Sequence, residues 1–367
     1  MANSAKGRRR APKSRRRRRS SRARIVGLVT ASAVLVAGTG VAISYASHLF
    51  AKHQEAGNAD TAEGSGSDPA TDSGQGTSST RSGSPAPSGS KGTQGSHVPQ
   101  TGDTGPTAVK SHAGPKATGP GTVTTLKVPS ADSDMAMRPV VVYRPAVPAG
   151  AVLPVLYLLH GVPGEPDRIM ESVKDDLDRA FTTGGQAPFI VAAPTGGGTA
   201  HHDTEWADAA DGKDMVESYL IKNVMPAVEG TSPRTAAQRA VAGFSMGGYG
   251  AANLALRHPD LFGQFVSLAG YFHVDDPSGM FGSDRGLEAA NTPDDMVKKA
   301  AGKRVLLLED QDETDSLIDG QAAEFAQRLH DCDCGVDLNW HLEPGGHSYD
   351  FVTYSFTKVI VFLNQGF

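Results

Sequence analysis

Residues 122–367 are predicted to form an α/β fold, a mostly parallel sheet of about eight strands flanked by helices. Two observations predict it. Apolar runs of strand length alternate along the chain with segments of helical periodicity, the pattern of strand–helix–strand units. Several of those runs, such as PVLYLLHG and RVLLLED, are unbroken rather than alternating, as strands covered on both faces of a sheet must be. A third observation marks where this domain starts: the texture of the chain before residue 122 is different in kind.

Residues 1–24 carry twelve Lys and Arg and no acid, which leaves 23 basic against 40 acidic residues in the rest, a formal −17. An acidic body repels phosphates and argues against nucleic acid as a partner. The basic block abuts IVGLVTASAVLVAGTGVAISYASHLF, residues 25–50, which holds no fully charged residue. About twenty residues at ~1.5 Å each span a ~30 Å hydrocarbon core, so a transmembrane signal anchor is expected here. The basic flank places residues 1–24 in the cytoplasm and everything after Phe50 outside the cell membrane. Ser44 and Ala46 are small residues at a cleavage-like spacing, so a secreted product cut near Ala46 stays open.

Residues 51–121 contain no Ile, Leu, Phe, Trp or Tyr and are dominated by Gly, Ser, Thr, Pro, Ala and Asp. Such a stretch cannot bury enough apolar area to offset its ordering entropy and is expected to be a disordered linker. About 70 residues of it give a typical reach of about 45 Å.

Strands are then expected at VTTLKV, VVVYRP, PVLYLLHG, PFIVAAP, RAVAGFS, FVSLAG, RVLLLED and VDLNWHL. Helices are expected at roughly 168–183, 213–229, 246–258, 318–330 and 349–364. No internal repeat is visible. Cys332 and Cys334 support one very small disulfide loop at most and have too few neighbouring ligands for a metal site. They are expected to be partly buried or paired and to have no catalytic role. No cofactor or metal is expected, and the oligomeric state is unconstrained.

The chemistry gathers at VAGFSMGGYG, residues 241–250. RAVAGF reads as a buried strand, and MGGYGAANLALRHP as a helix with small residues in its first turn. A serine between them, within Gly-x-Ser-x-Gly, is held on a sharp strand-to-helix turn with its hydroxyl above the sheet edge. Ser245 is therefore the candidate nucleophile, with the positive helix N-terminus beside it. A serine hydroxyl needs a base. His347, in the glycine-rich EPGGHSYDFV that follows the last strand, is the candidate, because serine, acid, histidine is the chain order of such sites. His201 and His202 in GGGTAHHDTEW are a rival pair and, with Trp206, candidates to line a substrate pocket. His160 is expected to order its loop rather than to react.

The acid belongs between serine and histidine, where RVLLLEDQDETDSLIDG offers Glu309, Asp310, Asp312, Glu313 and Asp315. Asp312, four residues past Leu308, is chosen; Asp310, Glu313 and Asp315 remain alternatives. Backbone donors for a tetrahedral oxyanion are expected at Met246, directly after the nucleophile, and at Val162 in HGVPGEPD, since Pro163 has no N–H.

These stretches, with LPVLYLLHGVPGEPDRI, DTEWADAADGKDMVESYLIKNVMPAVE, RAVAGFSMGGYGAANLALRHPDLFGQFVSLAGYF and EPGGHSYDFV, cover most of residues 150–355. They resemble the esterase D-like branch of the α/β-hydrolases, which includes S-formylglutathione hydrolases, enterochelin-type esterases and the antigen 85 mycolyltransferases. The resemblance implies the α/β-hydrolase fold, Ser245 as nucleophile, His347 as base and backbone donors at Val162 and Met246. Members often carry a glycine shortly before the aspartate, and LLLEDQDETD has none. Three functions are therefore open. One is a serine esterase acting outside the membrane on carboxylic or thioesters through an acyl-enzyme on Ser245. Another is an acyltransferase in which a cell-envelope sugar replaces water. The third is a surface binding protein with a vestigial hydrolase fold. The partners implied are a small-molecule or lipid/sugar ester and, through the N-terminal helix, the membrane.

Overall fold

The computed structural model describes residues 114–130, 136–274, 276, 278–315 and 318–367. The basic segment, the expected anchor and most of the expected linker lie outside the described residues. Among the described residues no helix is long and apolar enough to cross a membrane.

Eight strands form one sheet: β1 (Gly119–Pro129), β2 (Met137–Ala146), β3 (Val155–Leu159), β4 (Ile190–Pro194), β5 (Arg239–Phe244), β6 (Gln264–Leu268), β7 (Arg304–Asp310) and β8 (Asp337–Glu343). Their spatial order is β1-β2-β4-β3-β5-β6-β7-β8. β1 and β2 are antiparallel to their neighbours, and every pairing from β4 through β8 is parallel. Each of the eight apolar runs has become a strand. β1 opens at Gly119, ahead of the first apolar residues, because hydrogen bonds rather than apolar burial fix its start. The Gly121 N–H donates to Asp178 at 2.7 Å and the Thr118 N–H to the Ala146 carbonyl at 2.7 Å.

Helices lie on both faces. α1 (Pro166–Thr182) leads from β3 to β4. α2 (Val216–Tyr219), a π-helical turn (Leu220–Val224) and α3 (Met225–Glu229) run on as one helical segment. α4 (Met246–Arg257) follows β5, α5 (Arg285–Ala290) and a 3-10 segment (Pro293–Ala300) follow β6, α6 (Gln321–Asp331) follows β7 and α7 (Tyr349–Gly366) ends the chain. α5 and the 3-10 segment lack a long apolar stripe; an Asp284 cap and Pro293 mark their starts instead. Helical periodicity did not predict them.

The unbroken strands explain themselves in the packing. Val155, Tyr157 and Leu159 of β3 face a core shared with α2, α3, α4 and α6, while Leu156 and Leu158 face a second core shared with α1 and α7. β7 divides likewise, with Val305 and Leu307 on one side and Leu306 and Leu308 on the other. A fully buried Leu contributes roughly 1.5–3 kcal/mol, so both faces are mostly apolar. The loops at the strands' C-terminal ends are where the polar chemistry of a site is expected.

At the opposite end of the sheet lies a buried ion cluster. Glu229, at the end of α3, accepts from Arg239 of β5 through both oxygens at 2.7 and 2.8 Å, from the Tyr157 hydroxyl at 2.8 Å and from the Arg234 N–H at 2.7 Å. Burial alone would raise the Glu229 pKa; the Arg239 guanidinium and these donors bring it below the ordinary range. The cysteines form the Cys332–Cys334 disulfide at the end of α6.

Candidate active site

β5 delivers Ser245 at its C-terminal end, and Ser245 is the N-cap of α4. Its backbone sits at φ 57°, ψ −122°, a region that costs a non-glycine residue ~1–3 kcal/mol. The surroundings impose it. The Ser245 N–H donates to the Leu268 carbonyl of β6 at 3.0 Å, and the Ser245 carbonyl accepts from Gly248 and Tyr249 as the helix begins. The flanking glycines make this turn fit. A Cβ on Gly243 would lie 2.2 Å from the Gly247 carbonyl oxygen, and one on Gly247 would lie 2.2 Å from that of Leu159.

His347 follows β8 on a loop whose Gly345 and Gly346 take φ 144° and 68°. That path brings the imidazole over Ser245, with Nε2 2.9 Å from Oγ. The Phe244 ring lies against it, centroids 4.9 Å apart. On its far side, Nδ1 is 2.6 Å from Oε2 of Glu313. Nδ1 must carry the proton to meet a carboxylate, so Nε2 presents its lone pair to the serine hydroxyl.

The carboxylate is therefore Glu313, and the expectation of Asp312 is corrected. β7 runs on to Asp310, and the Gln311 N–H still pairs with the Glu343 carbonyl at 3.0 Å, so the loop begins later than the count from Leu308 assumes. Asp310 turns back to accept the Asp312 N–H at 3.1 Å, and Asp312 is left exposed on that turn. Glu313 has the reach of an extra methylene. Its Oε1 accepts the N–H groups of Thr314 and Asp315, both at 2.8 Å. Burial would raise its pKa, but the His347 hydrogen bond and charge hold it below the ordinary range. The signal in the sequence was Asp310 itself, since an aspartate closing a strand commonly caps its own turn two residues on.

The loop after β3 passes against the serine. A Cβ on Gly161 would come within 2.9 Å of the Ser245 Cβ, which puts the Val162 segment beside the hydroxyl. Met246 opens α4, where a first-turn N–H has no acceptor within the helix. His160 is buried, and burial lowers its pKa to about 4, so the ring is neutral. Its Nε2 accepts the Gly196 N–H at 2.9 Å, so Nδ1–H donates to the Gly161 carbonyl at 2.8 Å and orders the loop.

The three pocket candidates separate. Trp206 is fully buried behind His160, edge-on to its ring at 5.2 Å, and its indole N–H donates to the His160 carbonyl at 3.1 Å. His201 is buried and tied to Asp214 through its backbone N–H at 2.8 Å and Nδ1 at 3.3 Å. His202 is exposed. Trp206 thus packs against the loop after β3, and His201 is held by Asp214 in the loop after β4. Among the described residues no group of three His, Cys, Asp or Glu is placed to hold a metal ion.

Comparison with known proteins agrees with this architecture. Residues 134–328, more than half of the chain, match the family described as putative esterase. Esterase Rv1288 of Mycobacterium tuberculosis strain H37Rv and Esterase MT1326 of strain CDC 1551 are each 27% identical over 236 residues, 55% of this chain and 50% of theirs. The chain spans about half the length of these curated relatives. Among solved structures, a ferulic acid esterase superposes with a TM-score of 0.59 at 22% identity, covering 68% of this chain and 99% of its own. An S-formylglutathione hydrolase from Agrobacterium tumefaciens gives 0.52 at 17%, covering 67% and 95%. MPT51 of Mycobacterium tuberculosis gives 0.52 at 20%, covering 67% and 98%. At these identities the superpositions speak for the fold. The chain belongs to the putative esterase family and has an α/β-hydrolase-like fold.

Proposed function

We propose that the protein is a serine esterase that cleaves carboxylic or thioesters through an acyl-enzyme on Ser245. The observation that carries this is the continuous relay from Ser245 Oγ to His347 Nε2 at 2.9 Å and from His347 Nδ1 to Glu313 at 2.6 Å, mounted on a strained strand-to-helix turn.

His347 takes the hydroxyl proton as Oγ attacks the carbonyl carbon. Glu313 stabilises the imidazolium that forms and keeps Nδ1 protonated. The oxyanion is met by the N–H groups of Met246 and Val162, preorganised donors each worth ~3–4 kcal/mol in such sites. His347 returns the proton to the leaving alkoxide or thiolate, and the acyl group stays on Oγ. Water then attacks the acyl carbon and gives a proton to His347, the bond to Oγ breaks to release the acid, and His347 returns the proton to Ser245 Oγ. The N-terminal charge pattern supports an extracytoplasmic location, with residues 25–50 as the anchor and the catalytic domain outside.

The purified protein is expected to hydrolyse short p-nitrophenyl esters, and Ser245→Ala is expected to reduce this to background. Retained activity in that variant removes Ser245 from the reaction. Products formed with sugar acceptors present test water as the acyl acceptor; an acylated sugar as main product overturns hydrolysis. Protease accessibility of residues 122–367 on intact cells tests the location.

A further inference from the structure

Asp310 is the last residue of β7 and is 2% exposed. One of its oxygens, Oδ1, accepts two backbone N–H groups, that of Asp312 at 3.1 Å and that of Gly346 at 3.2 Å. Asp312 immediately precedes Glu313, and Gly346 immediately precedes His347. A single oxygen atom therefore ties together the loop that carries the carboxylate and the loop that carries the imidazole, one residue before each.

The second loop needs such a tie. Gly345 and Gly346 stand at φ 144° and 68°, and two adjacent glycines leave a backbone that loses much entropy when fixed. The Gln311 N–H also pairs with the Glu343 carbonyl, but that rung lies before the glycines. The other oxygen of Asp310, Oδ2, is buried with no hydrogen-bond partner among the described residues. A buried oxygen left without a partner costs ~1–3 kcal/mol. An apolar side chain would avoid that cost but would offer no acceptor in place of Oδ1.

We propose that Asp310 is a positioning residue, whose Oδ1 clamps the Glu313 loop to the His347 loop and so sets the alignment of His347 toward Ser245. The role requires an acceptor oxygen at Oδ1 and no negative charge. Burial, with the Glu313 charge adding to it, raises the Asp310 pKa, while the Asp312 and Gly346 N–H groups at Oδ1 work against that shift. Asparagine offers the same carbonyl acceptor in the same shape; alanine offers none.

The proposal rests on the esterase reading, and the test separates the two. Asp310→Ala, Asp310→Asn and the parent chain are compared by kcat and KM on a short p-nitrophenyl ester, by the rate of Ser245 labelling with a fluorophosphonate, and by the far-downfield proton signal of His347 Nδ1–H, assigned by its loss in His347→Gln. Asp310→Ala is expected to lower kcat roughly 10–100-fold with KM within about twofold, since a displacement near 1 Å costs about 10²-fold. It is also expected to weaken or lose the downfield signal. Asp310→Asn is expected to stay within about threefold of the parent and to keep the signal. Asp310→Ala at parental kcat with the signal intact overturns the proposal, as does Asp310→Asn impaired to the level of Asp310→Ala. If Asp310→Ala fails to fold, the Asp310→Asn result decides. If the parent hydrolyses no ester, the esterase reading falls, and the downfield signal in the three proteins still decides the clamp.

Discussion

β5 joins two buried carboxylate sites that look alike and behave differently. Arg239 at its start meets Glu229, and Ser245 just past its end meets His347 and, through it, Glu313. Both glutamates are held below the ordinary carboxylate range against the effect of burial. Glu229 faces a guanidinium that never loses its charge, and its oxygens also take a tyrosine hydroxyl and a backbone N–H. Its charge is balanced once and stays balanced. On the proposed mechanism, Glu313 faces an imidazole whose charge appears and vanishes in each turnover. The same carboxylate chemistry anchors a sheet where the partner's charge is permanent and, on that mechanism, assists a reaction where the partner takes and returns a proton.

The largest effect that sharpens this contrast is on rate. Glu313→Ala is expected to lower kcat by about 10²–10⁴-fold while thermal unfolding moves little; a rate within threefold of the parent breaks the assignment. Glu229→Ala is expected to do the reverse. Removing one partner of a buried pair costs about 3–5 kcal/mol, visible in urea denaturation, while kcat of the folded fraction holds. A comparable loss of kcat without loss of stability would erase the distinction.

The pH dependence of stability comes next. A carboxylate lowered in the folded state contributes stability above its unfolded value of about 4.3. That contribution disappears as pH falls through the folded value. The parent is therefore expected to lose stability steeply below about pH 4, and Glu229→Gln, measured by denaturant titration at neutral and acid pH, to lose less across the same window. An equally steep loss in that variant removes Glu229 from acid unfolding. The smallest effect is at Asp312. Its side chain is exposed, so Asp312→Ala is expected to stay within twofold in kcat and ~0.5 kcal/mol in stability. A collapse of rate there would restore the assignment made from sequence.

The expectations made from sequence follow the same division. All eight strands were legible, the inner ones because burial on both faces forces unbroken runs such as VLYLL and RVLLLED. Ser245 and His347 were legible because each needs glycines that announce it: Gly243 and Gly247 around the turn, Gly345 and Gly346 before the histidine. Glu313 was not, because nothing in a run of five acids records where a strand stops pairing. The rung made by Gln311 and Glu343 moved the start of the loop. α5 and its 3-10 neighbour escaped because short polar helices are set by caps and prolines rather than by an apolar stripe. Trp206 and His201 were recognised as notable, yet their burial belongs to the tertiary structure.

The placement of β8 at the edge of the sheet has a consequence for how the chain matures. It is the last strand in sequence and has one neighbour, β7. Synthesis from the N-terminus therefore exposes Ser245, its turn and the loop after β3 about a hundred residues before His347 exists. A nascent chain can build the nucleophile's turn and most of both cores and still be inert toward esters. On the proposed mechanism, reactivity appears only once the final strand docks on β7, and a truncation that keeps the first seven strands but removes this one leaves a chain that carries Ser245 without His347.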